Sequence, residues 1–171
     1  MAKWNLDPSH SEVQFKVKHL MITTVTGSFK KIEGTIEADD AQFKNAKVTF
    51  KADVSSIDTG DAQRDGHLKS ADFFESEKFP EIKFESTSYN AIDSKITGNL
   101  TIKDITKQVT LDVDFGGSNK DPWGNEKAGF SVSGKINRTD FGLTWNAALE
   151  TGGVLVSEEV KILAEAQFVK G

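Results

Sequence analysis

Apolar and polar residues alternate with a period of two in about eight stretches of this chain, the repeat of a strand with one face buried and the other wet. Val13, Phe15, Val17 and His19 share one face of the first full stretch, opposite Glu12, Gln14, Lys16 and Lys18. Ala46, Val48, Phe50, Ala52 and Val54 oppose Lys47, Thr49, Lys51 and Asp53. The same rule recurs at Ile82, Phe84 and Ser86, at Ile96, Gly98, Leu100 and Ile102, and at Val109, Leu111, Val113 and Phe115. Ala128, Phe130, Val132, Gly134 and Ile136, and then Val160, Ile162, Ala164, Ala166 and Phe168, complete it. Between Gly27 and Ala38 the phase slips, with Phe29 on one parity and Ile32, Ile36 and Ala38 on the other. That slip predicts a bulge or bend near Gly27 or Gly34. Lys103 to Lys107 reads as a polar hairpin connection, and Gly116 to Asn125 as a turn region carrying Asp121-Pro122 and Gly124-Asn125.

From Thr59 to Phe74 the period of two is absent. The spacing predicts a short helical excursion around residues 60–74, capped by Thr59 or Asp61, with Ala62, Leu68 and Phe73 on its apolar side. A helix inserted between strands of a closed sheet lies over an open end, because the wall is already committed to its neighbours. The predicted fold is therefore all-β: an eight-stranded antiparallel barrel with this excursion. A two-sheet sandwich satisfies the same alternation.

Eight strands enclose either a filled interior or room for one small guest. The inward set mixes Ala46, Ala52, Gly98, Ala128, Gly134, Ala164 and Ala166 with Phe15, Phe50, Phe84, Phe115, Phe130 and Phe168. Small side chains where a solid core wants bulk argue for a cavity, although small and large residues can also alternate to pack a tapering barrel. The outer face is polar almost throughout, leaving no second apolar surface for a partner sheet.

Composition narrows the function. The 171 residues fit one domain over 1–171. A net charge of −5, from 26 acidic and 21 basic side chains spread along the chain, argues against a nucleic-acid surface. With no cysteine, disulfides and thiolate chemistry are excluded. No apolar run reaches the length of a membrane span, and Met1 to Asp7 lacks the hydrophobic middle of a secretory signal. As given, the chain is expected in the cytoplasm; a periplasmic or secreted location follows if a signal peptide has been removed ahead of Met1-Ala2.

Only Arg64 and Arg138 are arginines, against nineteen lysines, and both sit in polar clusters. A guanidinium fork suits a phosphate or carboxylate head, and equally an internal pair that ties a turn to the wall. His10, His19 and His67 are too scattered for a local metal signature. His19, His67 or Asp65 would be the acid or base of an enzyme built in the same barrel, but no local catalytic motif is present. Trp123 and Trp145 are candidates for rim aromatics or for ordinary packing.

Taken in order, these clusters resemble the YceI-like family of polyisoprenoid-binding, lipocalin-like barrel proteins. The resemblance rests on Trp4, Asp7 with His10-Ser11, Phe15 and His19, and Gly27 with Phe29. It continues through Thr59, Arg64-Asp65, His67-Leu68, Asp72-Phe73-Phe74, Phe79-Pro80, Phe84 and Ser86. Gly98 to Thr101, Thr106-Lys107, Asn137-Arg138 and Phe141-Gly142 complete it. It implies an interior that takes the tail of a polyprenyl pyrophosphate or quinone.

The expected protein is a carrier or store for one long-chain isoprenoid, without covalent chemistry, cofactor or metal beyond the bound lipid. Phe15, Val17, His19, Phe29, Phe50, Phe84, Leu100, Phe115, Phe130 and Ile162 are the expected tunnel wall. Arg64, His67, Arg138 and Trp145 are expected at the head or rim. A homodimer is compatible with this picture. The rivals are an enzyme acting on a small lipophilic molecule in the same barrel, and an interaction domain with a dry interior.

Overall fold

The computed structural model describes residues 2–20, 22–39, 42–146 and 155–171. Three of the predicted strands are built in two halves. β1 (Ala2–Leu6) and β2 (Glu12–His19) are separated by a 3₁₀ turn at Pro8–His10, and β3 (Thr23–Phe29) and β4 (Ile32–Ala38) by a bend at Lys30–Lys31. β5 (Lys47–Asp53) and β6 (Ile57–Asp58) flank a second 3₁₀ turn at Val54–Ser56. After the helix α1 (Ala62–Leu68) come the unbroken strands β7 (Glu81–Asn90), β8 (Lys95–Ile102), β9 (Ile105–Lys120), β10 (Glu126–Asn137) and β11 (Glu159–Lys170).

All ladders are antiparallel, in the order β1-β4-β5-β7-β8-β9-β10-β11-β2-β3-β6. β11 closes the ring by pairing twice: Lys161 to Glu165 run against β2, and Phe168 to Lys170 against β1. Counting each split strand once, this is a closed eight-stranded barrel in which every strand neighbours those before and after it in sequence. Closure leaves most strands without an open edge.

Two of the breaks share one local chemistry. Asp7 accepts hydrogen bonds from the backbone N–H and hydroxyl of Ser9, at 3.1 and 2.7 Å, and Asp53 does the same for Ser55 at 2.9 and 2.7 Å. An aspartate that bonds two residues ahead offers the backbone a turn in competition with the ladder. The third break lies at Lys30–Lys31, three residues from either glycine near which the phase slip predicted it. Gly27 and Gly34 remain inside β3 and β4.

The Lys103-Asp104 connection is tighter than expected. Both residues lie in the left-handed region, at φ 52° and 64°, and Ile105 to Lys107 already belong to β9. Positive φ at both central positions is the geometry of a two-residue hairpin whose twist matches its strands. Gly116 to Lys120, expected to be turn, continue β9 past a bulge, and the turn is confined to Asp121–Asn125.

The alternating strand directions fix two poles. The C-terminal end of β2, α1 with the turns after it, the Lys103-Asp104 turn and residues 138–146 and 155–158 between β10 and β11 gather at one end. Residues 42–46 before β5, the 91–94 turn and the long β9–β10 hairpin tip lie at the other. Among the described residues, no helix is long and apolar enough to cross a membrane.

Candidate functional site

The barrel contains a cavity of about 420 Å³, within the range of roughly 300–1,000 Å³ usual for small-molecule sites. Of the ten expected wall residues, Phe15, Val17, His19, Phe29, Phe50, Phe84, Leu100, Phe130 and Ile162 line it. Phe15, Val17, Phe50 and Ile162 are only half-buried although they face inward. A solid core would have covered them. The interior is thus not filled by the protein's own side chains.

Phe115 does not line the cavity. It is 38% exposed, stacked on Phe130 with centroids 5.1 Å apart and set edge-on to Phe43 at 5.4 Å. The alternation fails here for two reasons. The β9–β10 register shifts at Gly129/Phe130, and β8 begins at Lys95 opposite Asp112, so β9 beyond Asp112 runs past the end of its β8 partner.

The small inward residues do not all make room. A side chain at Gly134 would occupy the place of Leu111, and one at Gly98 would stand 2.6 Å from the Phe84 ring. Gly27 in the same way seats the Phe15 ring across the β2–β3 ladder. At these positions small against large is packing complementarity, and the free volume lies further in.

Charged and polar side chains touch the cavity at a few places. Lys18 and Arg64 are exposed and line it at the helical pole, marking where it reaches solvent; Gln14 and Glu165 touch it where β2 meets β11. α1 is set over that pole by its N-cap Asp61, whose carboxylate accepts from the N–H groups of Gln63 and Arg64 at 2.9 and 3.1 Å. Arg64 reaches back to Thr59, donating to its hydroxyl and carbonyl oxygens at 2.7 Å each. Asp65 accepts from the N–H and O–H of the same threonine, so this carboxylate serves the loop that enters the helix.

His67 stands at the mouth, donating from Nε2 to Asp72 at 2.9 Å. Its ring meets Trp145 and Phe73 edge-on at 4.9 and 5.1 Å. Trp145 and Phe73 also touch each other, at 5.3 Å, so the helix and the segment after β10 are joined over the opening by three rings. Trp123, the other rim candidate, sits at the opposite pole and is 84% exposed. Its turn is held by Asp121, which accepts from the N–H groups of Trp123 and Asn125 at 2.9 Å each.

Arg138 is buried at 4% exposure. Its Nε donates to Ser157 O at 2.8 Å, Nη1 to Leu143 O and Trp145 O at 2.6 and 2.9 Å, and Nη2 to Val156 O at 3.3 Å. Burial pushes the guanidinium pKa down, and nearby Glu158 opposes that. The side chain borders the cavity, but these donors bind the frame of the mouth, not a group outside it. Asn137 starts the turn that delivers Arg138, accepting from the N–H and hydroxyl of Thr139 at 3.0 and 2.6 Å.

Among the described residues, no buried side-chain nitrogen or oxygen lacks a partner, and no group of three or more His, Cys, Asp or Glu is placed to hold a metal. His10 lies in the break between β1 and β2, with Nδ1 2.7 Å from Asp7 Oδ2, and His19 bridges to Val156. The three histidines remain apart.

Sequence reasoning did not pick out Phe43 or Leu143, and placed Phe73 and Leu68 only on the apolar side of a helix. Phe43 lies in a loop without periodicity, so only its aromatic character could have marked it. In the structure all four line the cavity.

The model of the YceI-like domain matches residues 4–168. A UPF0312 protein of Staphylococcus aureus is 43% identical over 169 residues, covering 98% of each chain. The crystal structure of Burkholderia cenocepacia BcnA superposes with a TM-score of 0.81 at 25% identity, over 95% of this chain and 98% of that one. A polyisoprenoid binding domain from Saccharophagus degradans shares the fold, with a TM-score of 0.74 at 14% identity over 98% of both chains. A wall of alternating strands, an excursion over one pole and an ordered set of matching residues from end to end converge with these similarities: the chain belongs to the YceI-like domain family.

Proposed function

We propose that this protein binds the hydrocarbon tail of a long-chain isoprenoid lipid, of the polyprenyl pyrophosphate or quinone type, and acts as a carrier or store without covalent chemistry. The observation that carries the proposal is the apolar cavity of about 420 Å³, whose wall is aliphatic and aromatic along the barrel. The name of the Saccharophagus domain, a polyisoprenoid binding protein of the same fold, supports the choice of guest.

The driving force is desolvation. At about 0.8 kcal/mol per buried CH₂, an isoprene unit of five carbons contributes on the order of 4 kcal/mol before ordering losses. Even if half is lost to ordering, each added unit strengthens binding by at least about tenfold until the tail fills the space. Native mass spectrometry of freshly purified protein, before and after solvent extraction, should show an extractable lipid. A series of prenyl alcohols should then bind more tightly with length, and affinity indifferent to length would refute the proposal. Turnover of a bound prenyl compound, abolished by His67→Ala without loss of binding, would replace storage with catalysis.

A further inference from the structure

At the pole opposite α1 an aromatic ring, that of Phe43, reaches the cavity from a loop and not from the wall. We infer that Phe43 is the floor of the cavity and sets the longest tail the protein can bury. The inference rests on the proposed isoprenoid binding and adds to it a residue that determines specificity.

Phe43 belongs to no strand. It hangs from the loop between β4 and β5, at the pole opposite α1, yet it is 2% exposed and lines the cavity. Its ring touches Trp4 at 5.2 Å, Phe115 at 5.4 Å and Phe130 at 5.1 Å. Of these three only Phe130 also lines the cavity. Trp4 and Phe115 therefore stand behind the Phe43 ring, which separates them from the interior.

The loop is shaped to hold the ring there. Phe43 and Asn45 both have positive φ, 61° and 54°; asparagine tolerates this region, but a residue with a bulky ring such as Phe43 rarely adopts it. The bend is held by Asp39, whose N–H donates to Lys44 O at 3.4 Å and whose carboxylate accepts from Asn45 at 3.2 Å, and by the N–H of Ala46, which donates to Phe43 O at 3.3 Å. A backbone outlier that turns an aromatic ring inward, where an exposed polar loop would serve closure equally well, points to a role for the ring itself.

A tail entering from the α1 pole with its head at the mouth stops at this ring. Carbons beyond that length stay in water and add nothing to affinity. Removing the ring deepens the hollow as far as Trp4 and lets further carbons leave water.

The test is a length series from geraniol and farnesol through geranylgeraniol to solanesol, with affinities read by displacement of a fluorescent apolar probe from the whole protein. Wild type should tighten with length and then level off. Phe43→Ala should level off at a longer alcohol and bind that alcohol about tenfold more tightly than wild type, with little change for geraniol. Phe43→Leu, a gentler substitution should the alanine variant fail to fold, should shift the ceiling partway in the same direction.

Trp123→Ala removes an exposed ring at the same pole, outside the cavity lining, and should leave the ceiling where it is. A folded Phe43 variant with an unmoved ceiling would overturn the assignment, as would an equal shift in Trp123→Ala. A wild-type protein without any length dependence would instead overturn the isoprenoid reading beneath it.

Discussion

Arg138→Met removes the most heavily committed polar side chain of the mouth while keeping an unbranched apolar stem. Four carbonyls, of Leu143, Trp145, Val156 and Ser157, lose the guanidinium, but Val156 O keeps a donor in Asn146 Nδ2 at 2.7 Å. An orphaned acceptor costs on the order of 1 kcal/mol or more, so the three others make the gross loss about 3 kcal/mol. Relief of guanidinium desolvation and the better burial of methionine return about 1 kcal/mol. The net expectation is about 2 kcal/mol, a sizeable part of the roughly 5–15 kcal/mol that usually separates folded from unfolded domains. Urea denaturation measures it as a fall in midpoint at unchanged slope. Arg138→Lys retains the charge but not the planar fork that reaches carbonyls on both sides, and should lose roughly 1 kcal/mol. A loss below about 1 kcal/mol for the methionine variant would refute the clamp. So would a variant that weakens binding of a prenyl pyrophosphate far more than that of the matching prenyl alcohol, since the guanidinium would then be facing the head.

Two glycines that look alike in sequence should respond differently to alanine. At Gly98 the new methyl would stand 2.5 Å from Glu85 O, backbone that cannot step aside, and a loss of about 2 kcal/mol is expected; at Gly27 it meets only the far end of the Phe15 ring, which borders open cavity, so stability should fall by less than about 1 kcal/mol while lipid affinity drops. Denaturant midpoints of the two variants decide this, and the reverse order would refute it. The Lys103-Asp104 turn, left-handed at both residues, should gain about 1 kcal/mol on replacement by Asn-Gly, seen as a higher melting temperature. The Asp7 carboxyl is held at about 2, below its ordinary 3.8, first by the Ser9 hydroxyl and then by His10. Its folded-state pKa is depressed, so its contribution, at most about 2 kcal/mol, is complete above roughly pH 4 and lost as pH falls through 2. The stability gap between wild type and Asp7→Ala should therefore close between pH 6 and pH 2, and a gap independent of pH would contradict the assignment.

The architecture was legible in the sequence because a closed sheet forces one side of every strand inward, which writes a period of two into the chain. Val13 to His19 and Ala46 to Val54 carry that period cleanly, and the structure builds β2 and β5 from them. Helix α1 was legible for the opposite reason: from Thr59 onward the period is missing and a capping aspartate is present. The breaks were written in sequence too, as Asp7-Pro8-Ser9 and Asp53-Val54-Ser55, but in the language of local side-chain turns rather than of glycine.

Alternation assigns a parity; it says nothing about height along the barrel or about which side chain fills which gap. Phe115 has the inward parity and still lies beyond the wall, because its position depends on where β8 begins and on a bulge in a ladder with β10. Gly98 and Gly134 read as space and are occupied by Phe84 and Leu111 from neighbouring strands. Arg138 read equally as a group for a ligand's head and as an internal tie, and only the fold brings it to carbonyls as far as nineteen residues away. The sequence by itself determined that this chain rolls into a barrel with an apolar inside, since patterning is a property of each strand alone. Tertiary structure decided where that inside is open, what closes each pole and which charges are already used, because those depend on contacts between residues far apart in the chain.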